Sequence, residues 1–215
     1  MGGMLRETFE AGPLGCNCSI VCDPVTKQAI VIDPGGDYPK IKNRLDALGA
    51  TVCAIVHTHT HIDHVGATAE VQEMSGASAC IHEADRFLYD MLPIQAAMLG
   101  IREPKKVEMS GSLVDGGAIR FGNLELGVLH TPGHTPGSVS FVVNNGGDTT
   151  IFAGDTLFKR GIGRTDLWGG DHSLILKSLH QKLMTQDEAA RVVTGHGPET
   201  TIGEEKRANP FLRQR

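Results

Sequence analysis

The chain has 215 residues, 40% hydrophobic and 21% charged, with a formal net charge of -5. That length can bury a sizeable core, and the acidic balance offers no global field for nucleic acid or an anionic membrane. No apolar run approaches the ~20 residues that cross a bilayer, and the opening Met1-Gly2-Gly3-Met4-Leu5-Arg6-Glu7 lacks the apolar core of a secretory signal. Met1-Gly2 begins like a myristoylation site, but Arg6 stands where serine or threonine is preferred. Cys16, Cys18, Cys22, Cys53 and Cys80 make an odd count. With no export signal, that argues for reduced thiols in the cytoplasm. Cys16, Cys18 and Cys22 share one strand face and read as buried small hydrophobes sooner than as a separate metal or redox cluster.

In chain order, residues 5–10, 17–22 and 28–32 read as strands, with Asp23-Pro24-Val25-Thr26-Lys27 turning between the second and third. Ile30-Val31-Ile32 runs into Asp33-Pro34-Gly35-Gly36-Asp37. Asp37 is placed to cap a helix that has Ile41, Leu45 and Leu48 on one face. The apolar run Cys53-Ala54-Ile55-Val56 reads as a buried strand. It delivers His57-Thr58-His59-Thr60-His61-Ile62-Asp63-His64, four histidines and a carboxylate in eight positions. Gly66 to Val71 reads as a helix start, ending near Ser75-Gly76, and residues 78–81 as a short strand. Residues 83–100 read as helical but broken at Pro93. Their Met91, Leu92, Ile94, Met98 and Leu99 suit either packing on the core or a cap over a site. Residues 118–121 and 124–130 form a hairpin around Gly122-Asn123, and two strands at 138–143 and 149–153 follow. An amphipathic helix at 174–184, a strand at 191–194 and a helical turn at 203–208 complete the chain. This mixture suits a layered α/β (α+β) fold, and with no linker or repeat, residues 1–215 read as one domain.

Three further strands end in loops that carry ligand-type residues. They are His130-Thr131-Pro132-Gly133-His134-Thr135-Pro136-Gly137, Gly154-Asp155-Thr156-Leu157-Phe158 and Gly195-His196-Gly197-Pro198. Loops on a rigid scaffold are where sites usually sit, and glycine lets backbone approach a crowded centre. Imidazole and carboxylate suit zinc, iron and manganese.

His59-Thr60-His61-Ile62-Asp63-His64 resembles the H-x-H-x-D-H motif of the metallo-β-lactamase superfamily. Asp33, His134, Asp155 and His196 stand, in order, where that superfamily has its other metal-site motifs. The resemblance implies a four-layer αββα sandwich with a dinuclear site at one edge of its two sheets. It implies His59, His61 and His134 on one metal, Asp63, His64 and His196 on the other, Asp155 bridging, and Asp33 orienting ligands. His57, His82, His172 and His180 match no motif position and read as ordinary surface or core imidazoles, while His130 is near enough to support the ligands. Two divalent cations about 3.5–4 Å apart share a water and lower its pKa toward ~7. Asp63 can aim the resulting hydroxide. Zinc is the default metal, with iron and manganese compatible.

The segment from Gly154 to Asp166 resembles the G-D-T-L-F…G-x-G segment of type II glyoxalases, the hydroxyacylglutathione hydrolases that cleave S-D-lactoylglutathione. The related β-lactamases typically carry Cys or Ser where Asp155 stands, and the superfamily's nucleases usually add a domain or a basic surface. The expected partner is therefore a small-molecule thioester, glutathione-linked thioesters among them, with no nucleic acid and no membrane. Arg164 aligns with a family Lys that holds glutathione, and its guanidinium suits a carboxylate. Asp166 stands where the family has a glutathione-contacting Tyr, and the chain stops soon after Pro210-Phe211-Leu212, without a C-terminal helical glutathione domain. Single-domain bacterial members resemble it further. Two alternatives share the fold. Persulfide dioxygenases bind one iron through positions matching His59, His134 and Asp155, and a lactonase uses the same seven ligands.

Overall fold

The computed structural model describes residues 3–213, and two six-stranded sheets form its centre. In the first sheet β1 (Leu5–Ala11), β2 (Cys16–Cys22) and β3 (Gln28–Ile32) pair antiparallel in sequence order. Asp23 holds the turn after β2 by accepting from Val25 N and Thr26 Oγ1, the local bonding that makes aspartate a turn residue. The chain crosses over through α1 (Tyr38–Leu48), which buries Ile41 and Leu45, and returns as β4 (Thr51–Val56) parallel to β3. α2 (Ile62–Val65) and α3 (Thr68–Ser75) lead to β5 (Ser78–Ile81), parallel to β4. α4 (Arg86–Asp90) and α5 (Leu92–Leu99) precede β6 (Met109–Ser112), the edge strand.

The second sheet begins as an antiparallel meander of β7 (Ala118–Phe121), β8 (Leu124–His130), β9 (Val139–Asn145) and β10 (Asp148–Gly154). A small hairpin, β11 (Leu157–Phe158) and β12 (Gly161–Ile162), leads to α6 (His172–Ser178), which runs on into a π-helical turn at Leu179–Leu183. β13 (Arg191–Thr194) pairs parallel with β10, β14 (Thr200–Thr201) closes the sheet, and α7 (Ile202–Ala208) follows.

Three buried clusters make this a four-layer arrangement. Ile41, Leu45, Val71 and Leu92 from helices pack on Ile20, Val31 and Ile55 of the first sheet. The other face of that sheet, with Val21, Ile30, Ile32 and Val56, packs on Phe121, Leu126, Phe141 and Phe152 of the second. The far face of the second sheet, with Ile151 and Val192, is covered by Ile175, Leu179 and Ile202. Alternation along each strand sends neighbouring side chains to opposite layers, and both faces are covered, so the expected αββα sandwich is the fold.

Several local expectations need correction. Asp37 takes the N-cap position of α1, but its side chain makes no capping hydrogen bond. It lies in the left-handed region at φ 50°, and its carboxylate accepts from Gly12 N at 2.9 Å in the β1–β2 turn. The helix after the His-rich turn is split into α2 and α3. The break expected at Pro93 falls two residues earlier, at Met91, and Pro93 occupies the first turn of α5, where its missing N–H costs nothing. α6 starts at His172 because Asp171 accepts from Leu174 N. Cys53 is exposed, whereas Cys16, Cys18 and Cys22 are buried. Among the described residues no helix is long and apolar enough to cross a membrane.

Candidate metal centre

Five strand ends meet at one edge of the two sheets. β3 delivers Asp33 and β4 the 57–64 turn, while β8, β10 and β13 run into the loops carrying His134, Asp155 and His196. Backbone bonds stitch the edge together: Val139 N to Thr58 O at 2.8 Å, Gly195 N to Gly154 O at 2.8 Å, and Asn17 N to Gly195 O at 2.7 Å. Two glycines are required by the crowding. A Cβ on Gly195 would run into Asp155 Oδ1, and one on Gly35 into the Asp63 carbonyl.

The site falls into two connected groups. His59 Nε2 and His134 Nε2 lie 3.0 and 2.9 Å from His61 Nδ1. Nitrogens held about 2.0–2.1 Å from one cation stand roughly 3 Å apart, so these three face a common centre. In the second group Asp63 Oδ2 is 3.0 Å from His196 Nε2 and 3.6 Å from His64 Nε2. Asp155 lies between them. Its Oδ1 is 3.5 Å from His64 Nε2 and 3.8 Å from His196 Nε2, and its Oδ2 is 3.6 Å from His134 Nε2. Either group could hold a cation. His64 Nε2 and Asp155 Oδ1 are buried and make no hydrogen bond, as is His61 Nε2. A buried polar atom left unpaired costs about 1–3 kcal/mol, and a cation between His64 and Asp155 removes that cost for both. The donor set is imidazole and carboxylate throughout, as zinc, iron and manganese accept. The residues fit divalent metals.

The far nitrogens fix the rings. His134 Nδ1 donates to Arg164 O at 2.7 Å and His196 Nδ1 to Gly15 O at 3.2 Å. A carbonyl only accepts, so the lone pair of each ring is on Nε2, facing the cluster. Asp33 accepts from Thr58 N and Thr58 Oγ1, both at 2.7 Å, and from His64 Nδ1 at 3.0 Å. Thr58 Oγ1, having donated to Asp33, accepts from His59 Nδ1 at 3.1 Å. Asp33 thus orients two rings at once. It is itself left-handed, with φ 50°, a backbone state that costs a non-glycine residue roughly 1–3 kcal/mol.

Burial and the neighbouring carboxylates push the rings of the two groups in opposite directions. Burial pushes His59 well below the ordinary histidine value and His61 to about 3, so both rings are neutral at physiological pH, the form that can ligate a cation. At His64 burial acts the same way, but the carboxylates of Asp63, Asp33 and Asp155 outweigh it and carry the ring above the ordinary value. The carboxylates collect where positive charge is wanted. Burial would lift the Asp63 carboxyl, yet His64 and His196 hold it well below the usual carboxylate range.

Three contributors carried no signal strong enough to find from sequence. Asp85, fully buried, accepts from Thr60 N at 3.1 Å, Thr135 Oγ1 at 2.9 Å and Gly137 N at 2.6 Å. Gln95 of α5 accepts from Ile62 N at 2.9 Å and donates to Leu88 O at 2.9 Å and Thr60 O at 3.3 Å. Its one hint was a lone amide in an apolar helix. Cys16 Sγ is 3.4 Å from His64 Nδ1, and burial pushes its thiol up to about 12, so it stays a thiol. Of the histidines outside the motif, His57 is buried and contacts His64 O and Thr68 Oγ1. His130 donates to Pro136 O and stacks on His82 at 4.1 Å, while His172 and His180 are exposed. Arg164 is exposed and paired with Asp166 at 2.7 and 2.9 Å. A cleft of about 390 Å³ opens onto the candidate ligands His61, Asp63, His134 and Asp155.

The family model described as "Metallo-beta-lactamase superfamily" matches residues 11–196. The chain belongs to the metallo-beta-lactamase superfamily. Membership of this superfamily makes it kin to metal-dependent enzymes that are mostly hydrolases. Within the superfamily it is similar to the hydroxyacylglutathione hydrolase GloC of Haemophilus influenzae, at 36% identity over 91% of this chain and 92% of that one. The structure is similar to BLEG-1, a B3 metallo-beta-lactamase, with a TM-score of 0.89, 34% identity, and coverage of 98% and 100%. It is also similar to TTHA1623 in a di-iron-bound form, with a TM-score of 0.84, 36% identity, and coverage of 94% and 98%.

Proposed function

We propose that this superfamily member is a dinuclear metal-dependent hydrolase of the glyoxalase II type, cleaving S-D-lactoylglutathione or a similar small-molecule thioester. The observation that carries the reading is Asp155, whose Oδ1 faces His64 and His196 while Oδ2 faces His134. One carboxylate shared by two ligand groups suits a bridge between His59, His61 and His134 on one side and Asp63, His64 and His196 on the other. The similarity to GloC supports a thioester. His59, His61 and His134 would hold one divalent ion and Asp63, His64 and His196 a second, zinc by default and iron or manganese by availability, and the pair would supply an acidified water and Lewis acidity toward the scissile carbonyl. Asp63, ionised and lining the cleft, accepts a hydrogen bond from the attacking water and sets its direction. Asp33 holds the His64 ring and, through Thr58, the His59 ring in ligating orientation. A thiolate leaves without prior protonation, so the chain needs no strong general acid.

Arg164 is proposed to bind the carboxylate-bearing thiol half. Its present partner is exposed Asp166, and such a pair is worth only about 0–1 kcal/mol, so a substrate carboxylate can replace it. Arg164→Ala is expected to raise KM for S-D-lactoylglutathione roughly 3–10-fold and to leave kcat within about two-fold. The hydrogen bond from His134 goes to the Arg164 carbonyl and survives the substitution. An equal fall in kcat would place Arg164 in the chemical step instead.

Elemental analysis of the purified protein, run on the same sample as a hydrolysis assay, tests the reading. About two metals per chain with activity on S-D-lactoylglutathione is the expected result. One iron per chain, no hydrolysis, and oxygen uptake with glutathione persulfide would move the chain to the persulfide dioxygenases. Two metals with lactone hydrolysis alone would make it a lactonase.

A further inference from the structure

We infer that the apolar lining of the metal cleft is an acyl site, so that among small-molecule thioesters those with longer apolar acyl chains bind most tightly. This rests on the hydrolase reading for the reaction, though not for the binding.

The argument starts from α5. Its sequence Leu92-Pro93-Ile94-Gln95-Ala96-Ala97-Met98-Leu99 holds no charged residue, whereas a surface helix ordinarily turns a polar face to water. Leu92, Gln95 and Ala96 point inward, and the outer face leaves Met98 66% and Leu99 51% exposed. Both line the metal cleft, and Leu14 from the β1–β2 turn, 43% exposed, joins them with Leu167 and Trp168. Three of the large apolar side chains that the protein exposes thus gather beside its metal ligands. Contiguous exposed apolar surface marks a place where something binds, and the continuity with His61, Asp63, His134 and Asp155 makes that something the substrate.

The polar groups point the same way. Gln95 spends its amide on Ile62, Thr60 and Leu88. Apart from the ligands, the Trp168 indole and Arg164, which is proposed above for the thiol half, the cleft offers contact area rather than hydrogen bonds. A hydroxyl far along the acyl chain would lose water there and gain no partner, so it weakens binding relative to an alkyl chain of the same length. An alkyl chain would cover Met98 and Leu99 and gain it. The volume of about 390 Å³ is that of a small-molecule site.

The chain has one tryptophan, and it lines this cleft, so emission excited selectively at tryptophan reports on it. Zinc-loaded protein would be titrated with acetate, butyrate and hexanoate, which share a carboxylate head and differ only in chain length. Affinity read from Trp168 emission should rise about three- to four-fold per methylene, on the order of a hundred-fold from acetate to hexanoate. Met98→Glu, at a position mostly in solvent, should flatten that series without unfolding the protein. A series already flat in the wild type, or one that Met98→Glu leaves steep, would overturn the assignment. So would a ligand-free, concentration-dependent change in emission accompanied by a dimer in sedimentation, which would give the face to a second copy of the chain. A steep series in a protein that hydrolyses no thioester would uphold the acyl site and discard the reaction proposed above.

Discussion

Asp63→Ala is expected to lower kcat/KM for S-D-lactoylglutathione by at least about 10³-fold while leaving a folded protein. The size of the effect follows from two losses at one position. Asp63 Oδ2 stands 3.0 Å from His196 Nε2 and 3.6 Å from His64 Nε2, so the second metal group loses its own carboxylate. The same side chain lines the cleft, so the attacking water also loses the anion that orients it. The fold is spared for an equally local reason. Among the described residues the Asp63 carboxylate meets histidine rings and no backbone N–H, so its removal orphans no buried amide. A stability loss of about 1 kcal/mol or less is expected, a shift of roughly 2–4 °C in Tm for a chain of this size. Rate assays and thermal melts on the same preparation check both halves. Wild-type turnover in the variant would sink the mechanism, and a collapsed melt would show that the carboxylate holds the fold as well.

Asp63 belongs to the part of the molecule that was legible in the sequence, and the reason is chemical. A metal ligand must be one of a few residue types at a strand end, so His59, His61, Asp63, His64, His134, Asp155 and His196 stand out as candidates before any packing is known, and the fold brings them to one edge. The same holds for strands whose two faces are both buried, such as β3 and β4, because a short apolar run between turns admits few readings. What escaped was decided by geometry between distant segments. β6 has only four residues and pairs with β5 across the whole α4–α5 excursion, so no local period announces it. Asp37 looked like a cap because aspartate before a helix usually is one. Its carboxylate is instead claimed by Gly12, 25 residues away. The α4–α5 region offered two readings, core or cap, and it is both: Leu92 and Ala96 pack inward while Met98 and Leu99 border the cleft. Gln95 joins the two roles by reaching from that helix to the metal-binding turn.

Asp85 is the clearest case of a residue hidden from sequence, and Asp85→Ala should cost the most stability of any single change near the site, about 3–5 kcal/mol. An acidic residue in a short turn between Glu83 and Arg86 reads as solvated surface. In the fold it is fully buried, and its carboxylate accepts from Thr60 N, Thr135 Oγ1 and Gly137 N. Thr60 lies between His59 and His61 in a turn of the first sheet, and Thr135 and Gly137 follow His134 in a loop of the second. One side chain therefore ties together the two loops whose histidines converge. Alanine would leave the Thr60 and Gly137 amides without an acceptor inside the protein, each loss worth about 1–3 kcal/mol before relaxation, while Thr135 Oγ1 could still turn to Ser138 Oγ at 2.7 Å. With the brace gone, the 2.9 Å approach of His134 Nε2 to His61 Nδ1 loses its support, and metal affinity should fall about 10–100-fold. Asp85→Asn keeps one acceptor oxygen and should fall between the two in both quantities. Urea unfolding of each variant, with and without excess zinc, separates the effects, because bound metal stabilises the folded state by mass action. If Asp85→Ala unfolded within about 1 kcal/mol of the wild type and held its metals equally well, the two loops would be positioned by their sheets alone. The three hydrogen bonds to Asp85 would then be incidental to the site.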